Sequence, residues 1–309
     1  MKLVVLIPAF NEEEKIEETI RSVSKQIDGV DKVEILIIDD GSTDNTVKIA
    51  KSAGADKIIS HKHNTGVGAA FMTGIRNAIS MKADIVVTID GDSQMVSEEI
   101  PNLVQPIISK QFDVVIGSRF VNKIPDDYPK IKVIGNKIFT KIVSIAVGQK
   151  FSDTQTGFRA YSRDAIMNIS VVNNFTYTQE VLIDLAFKKF RIGDVPVTIK
   201  YHRRKSKVVK NIFSYSIRAL SIIFKSLIFH RPMFVFGLIG IILIGGGFLA
   251  KILTINKFID ITPGLSTGLI ILGIVAVMLG LLANVVFNRQ TFAEKNLKYF
   301  INELNKKEE

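Results

Sequence analysis

The sequence predicts an α/β domain with a Rossmann-like, mostly parallel sheet and helices on both faces. An interfacial amphipathic helix and a two-helix transmembrane hairpin are predicted to follow it. Three observations indicate this class. Short continuous apolar runs alternate with helical patterns in the first half of the chain, which is typical of parallel strands buried on both faces. A segment with apolar residues at helical spacing begins at position 211. Two later apolar runs each match the roughly 20 residues that cross a bilayer as a helix.

The elements of the first half follow from the spacing of apolar residues. The apolar runs predict five strands, at Leu3–Pro8, Val33–Ile38, Lys57–Ser60, Ala83–Ile89 and Val114–Gly117. Helical spacing predicts helices over Glu12–Gln26, Gly66–Ser80 and Ser97–Lys110. Ser42 or Thr43 can cap a further helix after the second strand, because a hydroxyl at that position accepts hydrogen bonds from the first free amides.

A further helical pattern covers Gly135–Val147 and admits two interpretations. It fits a core helix, or a helix that dips into a membrane beside a lipid tail. Lys132, Lys137 and Lys141 would suit the headgroup layer and favour the second interpretation.

The last third predicts the domain organisation. Its segments divide the chain into an N-terminal domain (1–210), a juxtamembrane amphipathic helix (211–230), two spans at 232–255 and 264–287 within 231–288, and a charged tail (289–309). Lys and Arg residues flank the hairpin on both sides, so we expect a multi-pass protein of the cell membrane whose N-terminal domain and both termini are cytoplasmic. The first apolar run is too short for a secretory signal. A two-helix anchor can also pack with other copies, which leaves a homo-oligomer open.

Composition and net charge limit the kinds of metal site and binding partner that the chain can have. The chain has no cysteine, so disulfides and thiolate metal sites are excluded and a metal would need oxygen or imidazole ligands. The formal net charge is +10, and basic residues cluster just before the apolar third, at Arg203, Arg204, Lys205, Lys207 and Lys210. That position favours a membrane surface or a phosphate-bearing ligand. A nucleic-acid partner is not expected, because no DNA-binding motif or aromatic stacking platform accompanies the cluster.

Acidic residues stand where the fourth predicted strand ends, and ligands bind outside this edge of a parallel sheet. Asp90-Gly91-Asp92 follows that strand. Two carboxylates separated by one small residue can both reach a hard divalent cation, and Mg²⁺ or Mn²⁺ would link them to a diphosphate. An Asp-x-Asp pair in isolation is more often part of a loop or a helix cap. This pair follows a buried strand, and that position favours a functional site.

Two more acidic residues, Asp39 and Asp40, end the second predicted strand. Their carboxylates can accept hydrogen bonds from a ribose hydroxyl or a base edge. Residues 40–43 can form a turn at the same time, so ligand binding and turn formation are compatible. Gly66-Val67-Gly68 is only a weak dinucleotide-binding signal, since a third glycine is missing, and a loop that packs close to the sheet is the favoured interpretation. His61 and His63 precede that loop and are interpreted as solvated residues outside the site.

Several motifs together carry a resemblance to a known family. Those of the first hundred residues are Pro8-Ala9-Phe10-Asn11-Glu12, Asp39-Asp40-Gly41-Ser42-Thr43-Asp44, Asn64-Thr65-Gly66-Val67-Gly68-Ala69-Ala70 and Asp90-Gly91-Asp92-Ser93-Gln94. Their order resembles that of family-2 glycosyltransferases. Later motifs resemble the polyprenyl-phosphate branch, which includes dolichyl-phosphate mannose and glucose synthases: Gly117-Ser118-Arg119, Asp153-Thr154-Gln155-Thr156-Gly157-Phe158-Arg159, Gln179-Glu180 and the basic stretch 201–207.

The resemblance covers residues 1–210 and implies a GT-A fold, a divalent metal and inversion at the anomeric carbon. It implies that Pro8, Phe10, Glu12 and Asp39 lie around the nucleotide of a nucleotide-sugar donor, with Asp90 and Gln94 at its diphosphate. Together with Asp40 and Gly91 from the same two strand ends, these are the residues expected to bind the donor. The resemblance also implies that Asp90, Asp92 and Gln94 lie at the metal. Family members often have Tyr in place of Phe10, so any hydroxyl contact there is absent.

The implied acceptor is dolichyl or polyprenyl phosphate in a lipid membrane. A phosphate monoester with a second pKa of about 6 is largely dianionic at neutral pH and needs no strong general base. It needs cationic guidance instead, and the candidates are Arg119, Arg203, Arg204 and Lys207. The cluster at 203–210 can alternatively bind anionic headgroups.

Two further residues, Asp153 and Glu180, complete the candidate catalytic set with Asp92 and Arg119. Asp153 and Arg159 can position the acceptor or pair with each other. Glu180 stands where relatives with alcohol acceptors keep a catalytic Asp, and it can act as a base or bind sugar hydroxyls.

The sequence therefore predicts an inverting, metal-dependent transfer of a hexose or N-acetylhexosamine from a UDP- or GDP-linked sugar to dolichyl or polyprenyl phosphate. One alternative is a membrane glycosyltransferase acting on a polysaccharide or another acceptor. Processive synthases of that kind usually carry a Gln-x-x-Arg-Trp motif, and this chain has no Trp. A non-catalytic nucleotide-sugar sensor is the other alternative.

Overall fold

The computed structural model describes residues 1–121, 124, 128–170, 177–200, 212–256 and 262–307. The chain divides into two compact units, Met1–Ile223 and Phe224–Glu309, and each is described by itself.

The first unit is built on one seven-stranded sheet. Its strands are β1 (Lys2–Ala9), β2 (Lys32–Asp39), β3 (Lys57–Ser60), β4 (Ile85–Thr88), β5 (Val114–Ser118), β6 (Arg159–Ser162) and β7 (Ile192–Pro196). Their order across the sheet is β3-β2-β1-β4-β6-β5-β7. Neighbouring strands run parallel except at β6, which runs antiparallel to both β4 and β5. The predicted mostly parallel sheet is confirmed.

Helices cover the sheet and form the C-terminal unit. They are α1 (Ile16–Arg21), α2 (Thr46–Ser52), α3 (Val67–Ser80), α4 (Ile100–Ile108), α5 (Lys130–Val147), α6 (Arg163–Asn168), α7 (Thr178–Phe187), α8 (Ile212–His230), α9 (Pro232–Ile255) and α10 (Pro263–Lys307). A 3₁₀ turn, Ser97–Glu99, leads into α4. The helix predicted over 211–230 corresponds to α8, and the two predicted spans correspond to α9 and the first half of α10.

The core of the first unit follows from the apolar runs. Every side chain from Leu3 to Ile7 in β1 is fully buried, as expected for a strand covered on both faces. The register places Ala9 beside Asp39 and Leu6 beside Thr88. The loops that follow β1, β2 and β4 therefore leave the sheet at one edge.

Several local predictions differ from the structure. β4 is shorter than the strand predicted at Ala83–Ile89, and α4 is shorter than the helix predicted at Ser97–Lys110. α1 is shorter than the predicted helix at Glu12–Gln26, because the residues before it form a turn in which the Lys15 and Ile16 amides donate to the Glu12 carbonyl. The cap predicted at Ser42 or Thr43 is wrong. α2 begins only at Thr46, whose amide donates to Asp44 Oδ1.

Two strands, β6 and β7, have no counterpart among the five predicted strands. β6 is the four-residue segment Arg-Ala-Tyr-Ser, which is too short and too polar to give an apolar run. β7 contains Gly193, Asp194 and Pro196, which also break the apolar pattern. Pairing with neighbours distant in sequence, rather than local propensity, makes these segments strands.

The C-terminal unit contains two helices that are long and apolar enough to span a bilayer, over Pro232–Ile255 and Gly264–Phe287. Glycines allow them to pack closely. A Cβ atom added at Gly240 would lie 2.7 Å from the Gly273 carbonyl oxygen, and one added at Gly273 would lie 2.8 Å from the Gly240 carbonyl oxygen. Such close approach of two backbones is how helices associate in a bilayer without a hydrophobic driving force.

We expect the Gly240→Leu variant to destabilise the packing of α9 on α10 by about 1–3 kcal/mol, because a larger side chain overpacks the contact. The measurement is the unfolding temperature of the detergent-solubilised protein. Gly237→Leu is the matched control, because a Cβ atom at Gly237 meets nothing within 4 Å. Equal unfolding temperatures for the two variants would contradict this packing.

Candidate active site

The carboxyl ends of the parallel strands meet at one edge of the sheet. β2 ends at Asp39, β4 is followed by Asp90, and β5 ends one residue before Arg119. Because β6 is antiparallel, the segment that precedes it, Asp153–Phe158, arrives at this same edge from the other direction. The candidate residues from distant parts of the sequence are thus brought together.

Asp90 and Asp92 form the acidic centre of this edge. Asp90 keeps a partly exposed surface but is closely surrounded by protein. Burial and the negative charge of Asp92 raise the pKa of Asp90 to about 7, although Arg119 opposes the shift. The Asp92 carboxylate accepts hydrogen bonds from the Gln94 amide at 3.1 Å and from Gln94 Nε2 at 2.6 Å. Two carboxylates that repel each other in this way are a centre suited to a cation.

Close packing fixes the loop that carries these carboxylates. A Cβ atom at Gly91 would lie 3.2 Å from Ile16 Cδ1 and 3.5 Å from the Pro8 carbonyl oxygen, so the loop lies against the end of β1 and the start of α1. Ser93 has a positive φ of 57°, and its hydroxyl lies 2.9 Å from that of Thr19. The acidic loop therefore has a defined position before any ligand binds.

A second set of contacts joins the loops after β1 and β2. The Asn11 amide donates to Ser42 Oγ at 2.9 Å, and the Glu12 amide donates to Thr46 Oγ1 at 2.8 Å. Asp39 is 3% exposed, and its Oδ1 accepts from the Ser42 amide at 3.0 Å. Phe10 and Glu12 thus lie in a loop that is tied to the turn carrying Asp39.

Asp40 has a different environment from Asp39. The residue is 4% exposed, and both of its carboxylate oxygens accept hydrogen bonds from the segment between β3 and α3, including one from His61. The expectation that His61 is a solvated residue is therefore wrong. His63 is exposed, as expected.

Arg119 is held by a buried carboxylate. Its Nε and one Nη donate to the two oxygens of Asp153, at 2.6 and 3.0 Å. Asn136 of α5 donates to the same carboxylate at 2.8 Å. Burial alone would raise the pKa of Asp153, but the charge and hydrogen bonds of Arg119 outweigh burial and hold that pKa below its ordinary value. The guanidinium has five N–H donors, so it can still donate to a phosphate oxygen.

Arg159 has another role than pairing with Asp153. Its guanidinium is fully buried and donates to the backbone carbonyls of Thr178 at 2.6 Å and Thr154 at 2.9 Å. The predicted alternative of an Asp153–Arg159 pair is therefore wrong, because Asp153 pairs with Arg119. Arg159 links the segment before β6 to the start of α7, where Glu180 lies in the first turn and is 8% exposed.

The remaining predicted acceptor-binding residues, Arg203, Arg204 and Lys207, lie outside the described residues. The sequence prediction also missed two contributors, Asn136 and Gly157. A signal for Asn136 exists, since it is the amide side chain on the apolar face of α5 that contains Phe139 and Val143. Gly157 gave no signal of its own, because its closeness to Asp90 depends on the tertiary fold.

The residues present fit a divalent cation. In the part of the chain that the structure describes, no group of three or more His, Asp or Glu side chains forms a ready cluster. Asp90 and Asp92 nevertheless supply hard carboxylate oxygens. Mg²⁺ is commonly bound by one or two carboxylates together with substrate phosphates. Burial, followed by the negative charge of Asp92, raises the pKa of Asp90, and a bound cation would oppose that shift by favouring the ionised carboxylate.

The chain is similar to several proteins named as glycosyltransferases. It is 33% identical to UDP-N-acetylglucosamine–dolichyl-phosphate N-acetylglucosaminyltransferase of Methanococcus voltae, over 64% of this chain and 86% of the relative. It is 29% identical to dolichyl-phosphate hexose transferase of Haloferax volcanii, over 67% and 86%. It is also 28% identical to undecaprenyl-phosphate mannosyltransferase of Micrococcus luteus, over 64% and 83%.

A solved structure confirms the predicted GT-A fold. Glucosyl-3-phosphoglycerate synthase from Mycobacterium tuberculosis, in complex with Mn²⁺, UDP and glucosyl-3-phosphoglycerate, matches with a TM-score of 0.59. The match covers 73% of this chain and 80% of that one at 23% identity. The model of glycosyl transferase family 2 matches residues 4–170, which carry the acidic centre and the Arg119–Asp153 pair. The chain therefore belongs to glycosyl transferase family 2.

Proposed function

We propose that this glycosyltransferase moves a hexose or N-acetylhexosamine from a nucleotide-sugar to dolichyl or polyprenyl phosphate at the cytoplasmic face of the cell membrane. The observation that carries the proposal is the arrangement of an acidic pair, Asp90 and Asp92, beside Arg119, which Asp153 holds in place. The three relatives above are named for transfer to dolichyl or undecaprenyl phosphate. The relative from Methanococcus voltae is named for a UDP-linked donor, which favours UDP over GDP.

The proposed transfer needs no general base. An oxygen of the acceptor phosphate forms a bond with the anomeric carbon of the sugar, on the face opposite the nucleotide. The bond from that carbon to the nucleoside diphosphate breaks, and its electron pair leaves with the diphosphate, so the anomeric configuration inverts. The acceptor is largely dianionic at neutral pH because its second pKa is about 6.

Each group of candidate residues would have its own role in this reaction. Mg²⁺ or Mn²⁺ held by Asp90 and Asp92, with Gln94 beside them, would neutralise charge on the leaving diphosphate. Pro8, Phe10, Glu12 and Asp39 would surround the nucleotide. Glu180 would bind sugar hydroxyls or serve as a base, and a dianionic acceptor favours the first role.

Cationic guidance of the acceptor is assigned to Arg119. A guanidinium offers a planar fork to phosphate oxygens. Its two hydrogen bonds to Asp153, a carboxylate that Asn136 also holds, keep the fork from rotating. Arg203, Arg204 and Lys207 would add charge beside the lipid phosphate. Two reactants that are both anionic are thereby brought together.

Two features support the proposal that the reaction takes place at the cytoplasmic face of the membrane, the predicted hairpin and helix α5. Basic residues on both sides of α9 and α10 favour a cytoplasmic catalytic domain with cytoplasmic termini. α5 contains no acidic residue, and its exposed surface carries isoleucines: Ile131, Ile134, Ile138 and Ile145, each 54% exposed or more. An apolar surface among lysines is suited to the headgroup layer of an anionic bilayer.

We expect α5 to lie in that layer when the whole protein is reconstituted in vesicles containing phosphatidylglycerol. Because the chain has no cysteine, Ile138→Cys gives one site for a polarity-sensitive fluorophore. Its emission should shift to the blue and be quenched by nitroxide-labelled lipids. Met167→Cys on α6 is the matched control, since Met167 is a large apolar residue with 53% exposure. Equal quenching at both sites would contradict the placement of α5.

The function itself is tested with proteoliposomes, a divalent cation and radiolabelled donor. Dolichyl phosphate is the acceptor, and dolichol without phosphate is the control. We expect label in the lipid phase only with dolichyl phosphate, as a sugar-phosphate diester with inverted configuration. Transfer to dolichol, or no transfer from UDP-glucose, UDP-N-acetylglucosamine and GDP-mannose alike, would contradict the proposal. Label in a growing polysaccharide would instead support the alternative acceptor.

A further inference from the structure

A buried carboxylate ties two strand-end loops of the candidate active site together. Asp40 Oδ1 accepts hydrogen bonds from the Thr65 amide at 2.9 Å and the Thr65 hydroxyl at 2.7 Å, and it lies 2.8 Å from His61 Nδ1. Its Oδ2 accepts from the Gly66 amide at 2.8 Å. We call these contacts of Asp40 with loop 61–66 the Asp40 clamp.

His61 extends the clamp to a helix. Its Nε2 lies 3.0 Å from the Thr73 hydroxyl in the middle of α3, while its Nδ1 faces Asp40. The ring therefore spans from the end of β2 to α3. Its side chain is 16% exposed, so solvent competes little for either contact.

The clamp holds loop 61–66 directly against the turn that carries Asp39. A Cβ atom at Gly41 would lie 2.6 Å from the carbonyl carbon of His63 and 2.8 Å from the Asn64 nitrogen. Gly41 also has a φ of +75°, so the turn needs glycine for both its conformation and its closeness to the loop. On its other side this turn receives the hydrogen bond from Asn11 to Ser42. The loops after β1, β2 and β3 thus form one continuous hydrogen-bonded assembly.

The clamp is built from an ionised group. Burial would raise the pKa of Asp40, but the hydrogen bonds from Thr65, His61 and Gly66 outweigh it and lower that pKa. Hydrogen bonds to a charged acceptor are stronger than neutral ones. Both oxygens are engaged by the protein, so Asp39 rather than Asp40 is the carboxylate of this turn suited to contact a nucleotide.

We propose that Asp40 and His61 are positioning residues for donor binding, which hold loop 61–66 against the turn of Asp39 and so fix that turn before the nucleotide arrives. This inference rests on the proposed function, because the turn is taken as part of the nucleotide site. Without the clamp, the cost of ordering both loops would fall on the binding step. The donor KM should then rise, whereas kcat at saturating donor and the acceptor KM should change little.

The test measures these three constants for the full-length protein in proteoliposomes, together with binding of UDP and GDP by calorimetry. We expect Asp40→Asn and His61→Leu to raise the donor KM and the nucleotide Kd about tenfold, which a loss of about 1.4 kcal/mol produces. His61→Asn should restore values close to wild type, because its amide nitrogen can take the place of Nδ1 and donate to Asp40. His63→Leu is the matched control, since His63 is the exposed histidine of the same loop.

Each outcome decides between positioning and simple stabilisation. A lower unfolding temperature with unchanged donor KM and nucleotide Kd would overturn the proposal, as would equal effects on donor and acceptor KM. If Asp40→Asn does not fold, the two His61 variants still give the answer. Nucleotide binding is measured without acceptor, so failure of transfer to dolichyl phosphate leaves this test intact. A wild-type protein that binds neither UDP nor GDP would overturn both proposals.

Discussion

Asp92→Asn is expected to lower kcat for sugar transfer about 1,000-fold while leaving the fold intact. The substitution keeps the shape of the side chain but removes the negative charge that helps to raise the pKa of Asp90. Loss of a single preorganised electrostatic contact to a developing charge costs about 10²–10³ in kcat. The side chain is partly exposed and is not part of the hydrophobic core, so the unfolding temperature should change little. The measurements are single-turnover transfer and thermal unfolding of the same preparation.

A matched control comes from the opposite edge of the sheet. Asp113 precedes β5 and forms an ion pair with Arg191, in which the Asp113 side chain is 23% exposed. Asp113→Asn should cost stability of about 1 kcal/mol or less, as surface ion pairs do, and leave kcat unchanged. If Asp92→Asn keeps more than a tenth of wild-type activity, the acidic pair is not the centre of the reaction.

Gly157→Ala is expected to lower kcat about 100-fold through a single added methyl group. A Cβ atom at Gly157 would lie 2.8 Å from Asp90 Oδ1 and 3.0 Å from Oδ2, so the carboxylate has to move. The glycine itself is held, because its carbonyl accepts a hydrogen bond from Thr88 Oγ1 at 2.5 Å. A misplacement of about 1 Å at a reacting centre can cost about 10² in rate.

The control for this prediction is Gly135→Ala on α5, where an added Cβ atom meets nothing within 4 Å. Alanine there should preserve activity and favour the helix by up to about 1 kcal/mol. A Gly157→Ala protein with wild-type kcat would mean that the position of Asp90 does not matter to transfer.

The sequence predicts well those elements whose cause is local. β3 and α9 begin and end where the apolar pattern places them, and β1 and β2 extend the predicted runs by one or two residues. The pattern also places Asp90 and Asp92 at a strand end. In these cases, a local apolar run that ends at polar or turn-forming residues marks both the element and its limits.

The contacts that depend on chain topology could not be predicted in the same way. Asp153 and Arg119 are 34 residues apart, and only the antiparallel course of β6 brings them together. Arg159 looked equally suited to Asp153, because they share one motif, but its side chain turns to buried carbonyls instead. His61 was assigned to solvent because a polar loop gives no sign that a carboxylate lies beneath it.

The reversed direction of β6 has a consequence for how this architecture can diversify. A parallel strand delivers its trailing loop to the rim of the sheet, whereas β6 delivers its leading loop, Asp153–Phe158. The stretch that orients Arg119 is therefore separate from the loops after β1, β2 and β3, to which we assign the nucleotide. Gly157 is the exception, because it packs against Asp90. Substitutions elsewhere in this stretch need not disturb the loops after β1, β2 and β3, so under the proposed function recognition of a new acceptor can change while the handling of the donor is kept.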